Sequence, residues 1–200
     1  VTSNTAFGAY AARDVTTAGY VTAIGANALM RHTTGNHNTA LGVNAAFSLT
    51  TASSGLYIGS QAGCSTTTNS GHYVGYNAGT TQTGYANTAF GEAALAGYSG
   101  TSNSGGYNTA IGHRTLERLD TGYFNTALGY FAGLNITTGG CNVALGSETL
   151  YCNTSGESNT AIGHKALCLN VVGSYNVAVG DIALQLNTAS DNVAVGRAAL

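Results

Sequence analysis

The sequence predicts an all-β chain, a parallel β-solenoid of about twelve 17-residue rungs, and three observations predict it. First, a glycine closes the motif Asn-Thr-Ala-Φ-Gly (Φ, large apolar) again and again, at Gly8, Gly25, Gly42, Gly59, Gly75, Gly91, Gly112, Gly129, Gly146, Gly163, Gly180 and Gly196. Successive glycines are 16 or 17 residues apart, with a single gap of 21. A fixed period too short to hold a domain makes each repeat one rung of a stack. Second, the residues before each glycine alternate in character with the two-residue period of a strand. Third, a helix is excluded. No segment keeps apolar residues at three-and-four spacing, and every unit carries glycines and β-branched residues.

Each element of the rung has its own reason. Asparagine stands four residues before the glycine at Asn38, Asn87, Asn108, Asn125, Asn142, Asn159, Asn176 and Asn192, so stacked rungs place amide over amide in a structural ladder. Three before it is Thr or Val, such as Thr126 and Val143, which suits a tight, partly buried, β-branched slot. The apolar residue directly before the glycine, such as Leu128, shares that face. The asparagine and the small alanine, such as Ala127, take the other face. The glycine ends the strand where backbones approach closely. The following Ala-Leu pair, as in Ala166-Leu167, is expected to begin a second short strand, and Thr/Ser/Gly-rich stretches such as Asn153-Thr154-Ser155-Gly156 are turn chemistry. Stacking at ~4.8 Å per rung gives a rod roughly 55–60 Å long.

Composition narrows the class. Charged residues are only 7%, proline and tryptophan are absent, and 44% of residues are apolar and periodic, which is neither an ordinary globular nor a disordered profile. A formal net charge of -2 offers no footprint for nucleic acid, and no apolar run is long enough for membrane insertion. Residues 1–200 read as a single repeat array, a segment of a longer fibre. Few large side chains per rung are available to a core. Either one chain is filled by those side chains, or several chains share a core with the apolar strand face turned to a common axis, as a trimer. The second arrangement covers bare sheet edges as well.

The unit Gly-x-x-Asn-Thr-Ala-Ile-Gly-x-x-Ala-Leu, seen at Gly156–Leu167, resembles the head repeat of trimeric autotransporter adhesins of the YadA type. It is similar, too, to repeats of phage tail fibres. The resemblance spans essentially the whole chain, although the rung here is longer than that of the adhesin head. It implies a left-handed parallel β-roll and a homotrimer, exposed outside a cell or on a virion.

Irregular rungs are where a site could lie. Rungs 52–79 replace the asparagine by Gly55 and Gly71 and the small alanine by Tyr57 and Tyr73. Two readings stand: a packing exchange in which glycine makes room for tyrosine, or a ligand surface of Tyr57, His72 and Tyr73. An insertion at 97–105, containing Tyr98, is either a tolerated bulge or a binding loop. Tyr20, Tyr107, Phe124 and Tyr175 stand just before the asparagine column, with Tyr85 and Tyr123 one place earlier. They form either a stripe able to hold sugar rings or packing against a neighbouring chain.

Catalytic chemistry is not evident. The acids are scattered; Glu117 and Asp120 alone are close, beside arginines that suggest a salt-linked turn. The histidines share no metal-ligand spacing, so no metal and no cofactor is expected. Cys152 and Cys168 fall on neighbouring rungs at nearly equal registers, open to a disulfide or to buried thiols. Asn135-Ile136-Thr137 and Asn153-Thr154-Ser155 match glycan-acceptor sequons in expected outer turns. The expectation is a non-catalytic structural and adhesive fibre shaft, extracellular, self-associating, and contacting a surface glycan or host receptor. The rivals are a polysaccharide-cleaving tailspike and an ice-binding solenoid. Thr5, Thr39, Thr88, Thr109, Thr126 and Thr160 favour the latter, but Val143, Val177 and Val193 in the same column argue that it faces inward.

Overall fold

The computed structural model describes residues 3–67, 70–97 and 103–200. Twelve three-residue strands form one parallel sheet in sequence order. They are β1 (Thr5–Phe7), β2 (Thr22–Ile24), β3 (Thr39–Leu41), β4 (Leu56–Ile58), β5 (His72–Val74), β6 (Thr88–Phe90), β7 (Thr109–Ile111), β8 (Thr126–Leu128), β9 (Val143–Leu145), β10 (Thr160–Ile162), β11 (Val177–Val179) and β12 (Val193–Val195). The chain is therefore a β-solenoid. Like positions pair throughout, as in Thr22 with Thr39 and Ala127 with Ala144. The register survives the insertion, because Thr88 still pairs with Thr109 across β6 and β7.

The direction of the faces follows from the space inside so narrow a coil. The central residue of each strand points inward, and Ala23, Ala40, Ala110, Ala161 and Ala178 are fully buried. The buried asparagines share that face. The Thr/Val column and the Φ column point outward: Thr22 and Thr39 are half-buried, while Phe7 is 76% and Phe90 58% exposed. This corrects the expectation that Val143, Val177 and Val193 mark an inward column. Their side chains lie on the outer face, and Val193 is exposed.

The Ala-Leu segment is not a second strand. It is a chain of overlapping turns, in which Ala28, Met30 and His32 donate backbone hydrogen bonds to Gly25, Asn27 and Leu29. Asn27 and Leu29 adopt φ of 60° and 49°, the left-handed second position that type II turns require. Non-glycine residues in that conformation cost about 1 kcal/mol each. The turns persist because the intervening N–H groups bond to neighbouring rungs, with Asn27 donating to Ala9 and Leu29 to Ala45. Leu29, Leu95, Leu116, Leu150 and Leu167 then point inward and fill the core beside Ala28, Ala94 and Ala166.

Two ladders tie the rungs. From Asn87 through Asn108, Asn125, Asn142, Asn159 and Asn176 to Asn192, each Oδ1 accepts the next asparagine's backbone N–H at 2.8–3.0 Å and its Nδ2 at 3.0–3.2 Å. Each Nδ2 in mid-ladder also donates to a carbonyl on the next rung, as Asn142 does to Gly156 at 2.9 Å. The second ladder was not read from the sequence. Eight residues after the repeat glycine, the hydroxyls of Thr16, Thr33, Thr50, Thr137 and Thr154 each donate to the carbonyl of the equivalent residue one rung on, at 3.0–3.2 Å. The stacked glycines allow this spacing: Gly42 has φ of 139°, and a Cβ there would lie 2.5 Å from the Gly59 carbonyl oxygen.

An Asn142→Ala substitution removes the acceptor of two Asn159 donors and the donor to Gly156, all in the buried column. We predict a loss of about 2–4 kcal/mol, measured by chemical denaturation at fixed protein concentration. Asn192→Ala, at the end of the ladder, is expected to cost less than half as much. Equal losses at the two positions would show that the ladder is not what the substitution reports.

Candidate functional site

The two tyrosine rungs are packing, not surface. Tyr57 and Tyr73 are fully buried and meet edge-to-face, with ring centroids 5.8 Å apart and an interplanar angle of 63°. Each occupies space vacated at two places. A Cβ at Gly55 or Gly63 would collide with the Tyr57 ring, and one at Gly71 or Gly79 with the Tyr73 ring. Thus a central alanine becomes tyrosine while both the ladder asparagine and the inward leucine become glycine. Neither tyrosine can contribute to a ligand surface. Of that trio only His72 is exposed, on the outer face of β5. Tyr98 lies outside the described residues.

Exposed aromatics gather at the corner before the asparagine column. Tyr20, Tyr107, Phe124 and Tyr175 all have φ between 57° and 60° and are exposed. Tyr20 stacks on His37 at 4.9 Å with an interplanar angle of 2°, and Tyr107 stacks on Phe124 at 5.2 Å. Tyr85 and Tyr123 are exposed one place earlier. The same corner is left-handed at His37, Ser54, Cys141, Ser158 and Asp191, so the conformation belongs to the repeat and is held by bonds between rungs, as from the Tyr107 N–H to the Tyr85 carbonyl at 2.9 Å.

The turn surface carries rung-to-rung ion pairs that sequence reading missed. His164 Nδ1 meets Asp181 at 3.0 Å, Lys165 meets Glu148 at 3.5 Å, and Arg197 meets Asp181 at 3.4 Å. The His164 hydrogen bond is the main reason the Asp181 carboxyl is held below its ordinary range, with Arg197 adding to it. The available signal was register: each pair shares a column. Glu117 is paired with Arg114 at 2.6 Å, and the Arg114 guanidinium lies over the Phe131 ring, 5.3 Å from its centroid. His113 stacks on Tyr130 at 5.4 Å. Among the described residues no group of three or more His, Cys, Asp and Glu side chains is placed to hold a metal ion.

The remaining sequence candidates divide. Cys152 and Cys168 are neighbours, with the Cys152 N–H donating to the Cys168 carbonyl at 2.9 Å, and both are free thiols. Burial is the main cause that pushes the Cys168 thiol up to about 11, which favours the protonated thiol at neutral pH. Asn153 is fully buried and so is not an outer-turn glycan acceptor. Asn135 is half-buried and its Nδ2 donates to the Tyr151 carbonyl at 2.8 Å.

No protein-family model, no curated protein and no solved structure matches this chain.

Burial raises the Tyr57 hydroxyl from 10.0 to about 12, opposed by its bonds to the Gly71 backbone and Thr66. A folded-state value above the unfolded one means this contribution is intact below pH ~10 and is lost as pH rises towards ~12. Tyr57→Phe is therefore predicted to reduce the loss of stability between pH 10 and 12, followed by circular dichroism melts across that range. An identical alkaline profile for the variant would exclude Tyr57 as the group responsible.

Proposed function

We propose that this chain is a structural and adhesive fibre segment, a left-handed β-solenoid assembled as a homotrimer and displayed on a cell or virion surface. The observation that carries the reading is the outer face of the sheet. Phe7, Ile24, Leu41, Phe90, Ile111, Leu128 and Ile162 stand in one column along it, each at least 36% exposed on the single chain. At ~4.8 Å per rung and a width of ~10–12 Å, the face covers roughly 600 Å². That is at the upper end of what soluble monomers expose and approaches the ~800 Å² per partner of a stable interface. A second and third copy fit as occupants because the column repeats at the spacing of its own rungs. Copies related by an axis parallel to the solenoid bring like rung beside like rung along the whole length. The resemblance of the repeat to trimeric adhesin heads supports three copies and the left hand.

The adhesive part of the proposal rests on the exposed aromatic corner. Rings stacked at rung spacing offer flat apolar faces, and the half-buried hydroxyls of Thr109 and Thr160 lie on the adjoining strands. A surface glycan is the class of receptor that such a combination fits. Ice binding is the second reading. One observation favours it: the column of Thr22, Thr39, Thr88, Thr109 and Thr160 faces outward from a regular sheet. Interruption by Leu56 and His72 and the bulky Φ column beside it weigh against an ordered hydroxyl array. Thermal hysteresis measured on the purified chain separates the two.

The assembly test is mass in solution by light scattering. We predict about three times the 20.1 kDa of the single chain. Leu128→Asp places a carboxylate on the outer face, so it is predicted to lower the mass to that of one chain while the β-sheet circular dichroism is unchanged. A wild-type mass of 20.1 kDa at micromolar concentration would remove the trimer.

A further inference from the structure

The turn columns carry one missing tooth. Two, five and six residues after the repeat glycine, most rungs present sizeable side chains: Phe131, Leu134 and Asn135 on one, Glu148, Tyr151 and Cys152 on the next. The rung of Gly91 presents Ala93, Ala96 and Gly97 instead. Three neighbouring columns thus shrink together on one rung, and an open cavity of about 400 Å³ results. Its walls are Gln61, Asn77, Thr80 and Thr81 on one side and Glu117 on the other.

The polar groups around this notch are only partly consumed by the fold. Arg114 holds Glu117 through Oε2 at 2.6 Å, and no described residue engages Oε1. Asn77 Oδ1 is sealed from solvent without a hydrogen-bond partner among the described residues. Behind the wall, Asn103 is fully buried, and neither end of its amide has a partner there. A Cβ at Gly97 would stand 3.2 Å from Asn103 Nδ2, which places that amide against the notch. Buried asparagine amide atoms without a partner also occur at Asn153 and Asn170, so those of Asn77 and Asn103 do not by themselves mark a ligand. The hydroxyls of Thr80 and Thr81 donate to the Asn77 and Ala96 carbonyls at 2.6 and 3.0 Å, and their oxygens keep lone pairs for a further donor.

Amides, hydroxyls and one oriented carboxylate around an apolar floor of Ala93 and Ala96, with no free cation among the described lining residues, match a neutral polyol rather than an anion. A volume of about 400 Å³ lies within the range of small-molecule sites. We propose that the notch over Ala93, Ala96 and Gly97 binds one neutral monosaccharide unit of a surface glycan. The Glu117 carboxylate accepts from its hydroxyls, and the Gln61 amide bonds beside its ring. The site lies on the turn columns, apart from the outer sheet face that the trimer would cover. The proposal deepens the glycan-contact reading and rests on it for the class of ligand.

The test is saturation-transfer NMR of the intact protein with the methyl glycosides of glucose, galactose, mannose and N-acetylglucosamine. The notch-filling variants are Ala96→Tyr, which copies Tyr151 in the same column, and Ala93→Gln, which copies Gln61. Unchanged circular dichroism and solution mass establish that each is folded. The expected result is transfer to at least one glycoside by the wild type, reduced at least tenfold in both variants and weakened in Glu117→Gln. The proposal is overturned if no glycoside receives saturation from the wild type, or if transfer persists in both notch-filling variants. Persistence there together with loss in a Tyr107→Ser, Phe124→Ser variant moves the glycan contact to the aromatic corner. That outcome overturns the notch and leaves adhesion standing. A mass of one chain with transfer intact overturns the fibre assembly and supports the notch.

Discussion

From Asn87 to Asn192 the stacking of the rungs depends on the buried asparagine column. Its amide is the one side chain that can accept from the rung above while donating both to the rung below and to a carbonyl across the turn. A buried polar group left unpaired costs about 1–3 kcal/mol, so each asparagine is stable only where its neighbours stand in register. A slip of one residue along the strand would put alanine outside and Φ inside on every rung. The ladder therefore acts as a ruler. It fixes the vertical order of the rungs, and the threonine hydroxyls of Thr16, Thr33 and Thr50 repeat the constraint on the opposite turn.

Where the ladder stops, the rung is rebuilt as a unit. Gly55 and Gly71 delete the asparagine, and Tyr57 and Tyr73 fill the interior that follows. Two large rings side by side would overfill a coil designed for alanine, but the second glycine of each rung, Gly63 or Gly79, removes the leucine as well. The polar column gives way to an aromatic one for two rungs and resumes at Asn87. The interior tolerates this because the rings take up space that the paired glycines vacate, and the strand pairing of β4 and β5 continues without a break.

Much of this was legible in the sequence, because period and register are properties of the repeat itself. The strand at each Thr-Ala-Φ and the stacking of like residues could be read directly, and the packing exchange between Gly55 and Tyr57 was one of two readings. Which face points inward could not. Apolarity suggests that Ile24 and Leu41 belong inside and Ala23 and Ala40 outside, yet the coil is too narrow for the larger pair. Width, not hydropathy, decides the direction, and a strand pattern carries no measure of width. The overlapping turns at Asn27 and Leu29 were hidden for a related reason. Leucine in a left-handed turn contradicts local propensity, and it is held there by hydrogen bonds to two other rungs. The notch at Ala93, Ala96 and Gly97 is visible in the sequence only after the columns are aligned, since small residues in a loop attract no notice by themselves.

A division of labour between inside and outside follows. Inward positions are held by residues that fit between their stacked neighbours, alanine, leucine, asparagine and glycine on most rungs and tyrosine at Tyr57 and Tyr73. Outward columns are free of that demand, and there the repeat diverges: His164 and Asp181 form a pair, Tyr107 and Phe124 a stack, Ala93 and Ala96 a gap. In a solenoid of such uniform rungs a surface feature can be made by removing side chains as readily as by adding them, because the backbone beneath is held by its neighbours on both sides. The column of ladder bonds is what makes deletion harmless to the fold. It also explains how neighbouring rungs can carry an aromatic corner, a gap and an exposed apolar column together, because each occupies its own set of outward columns.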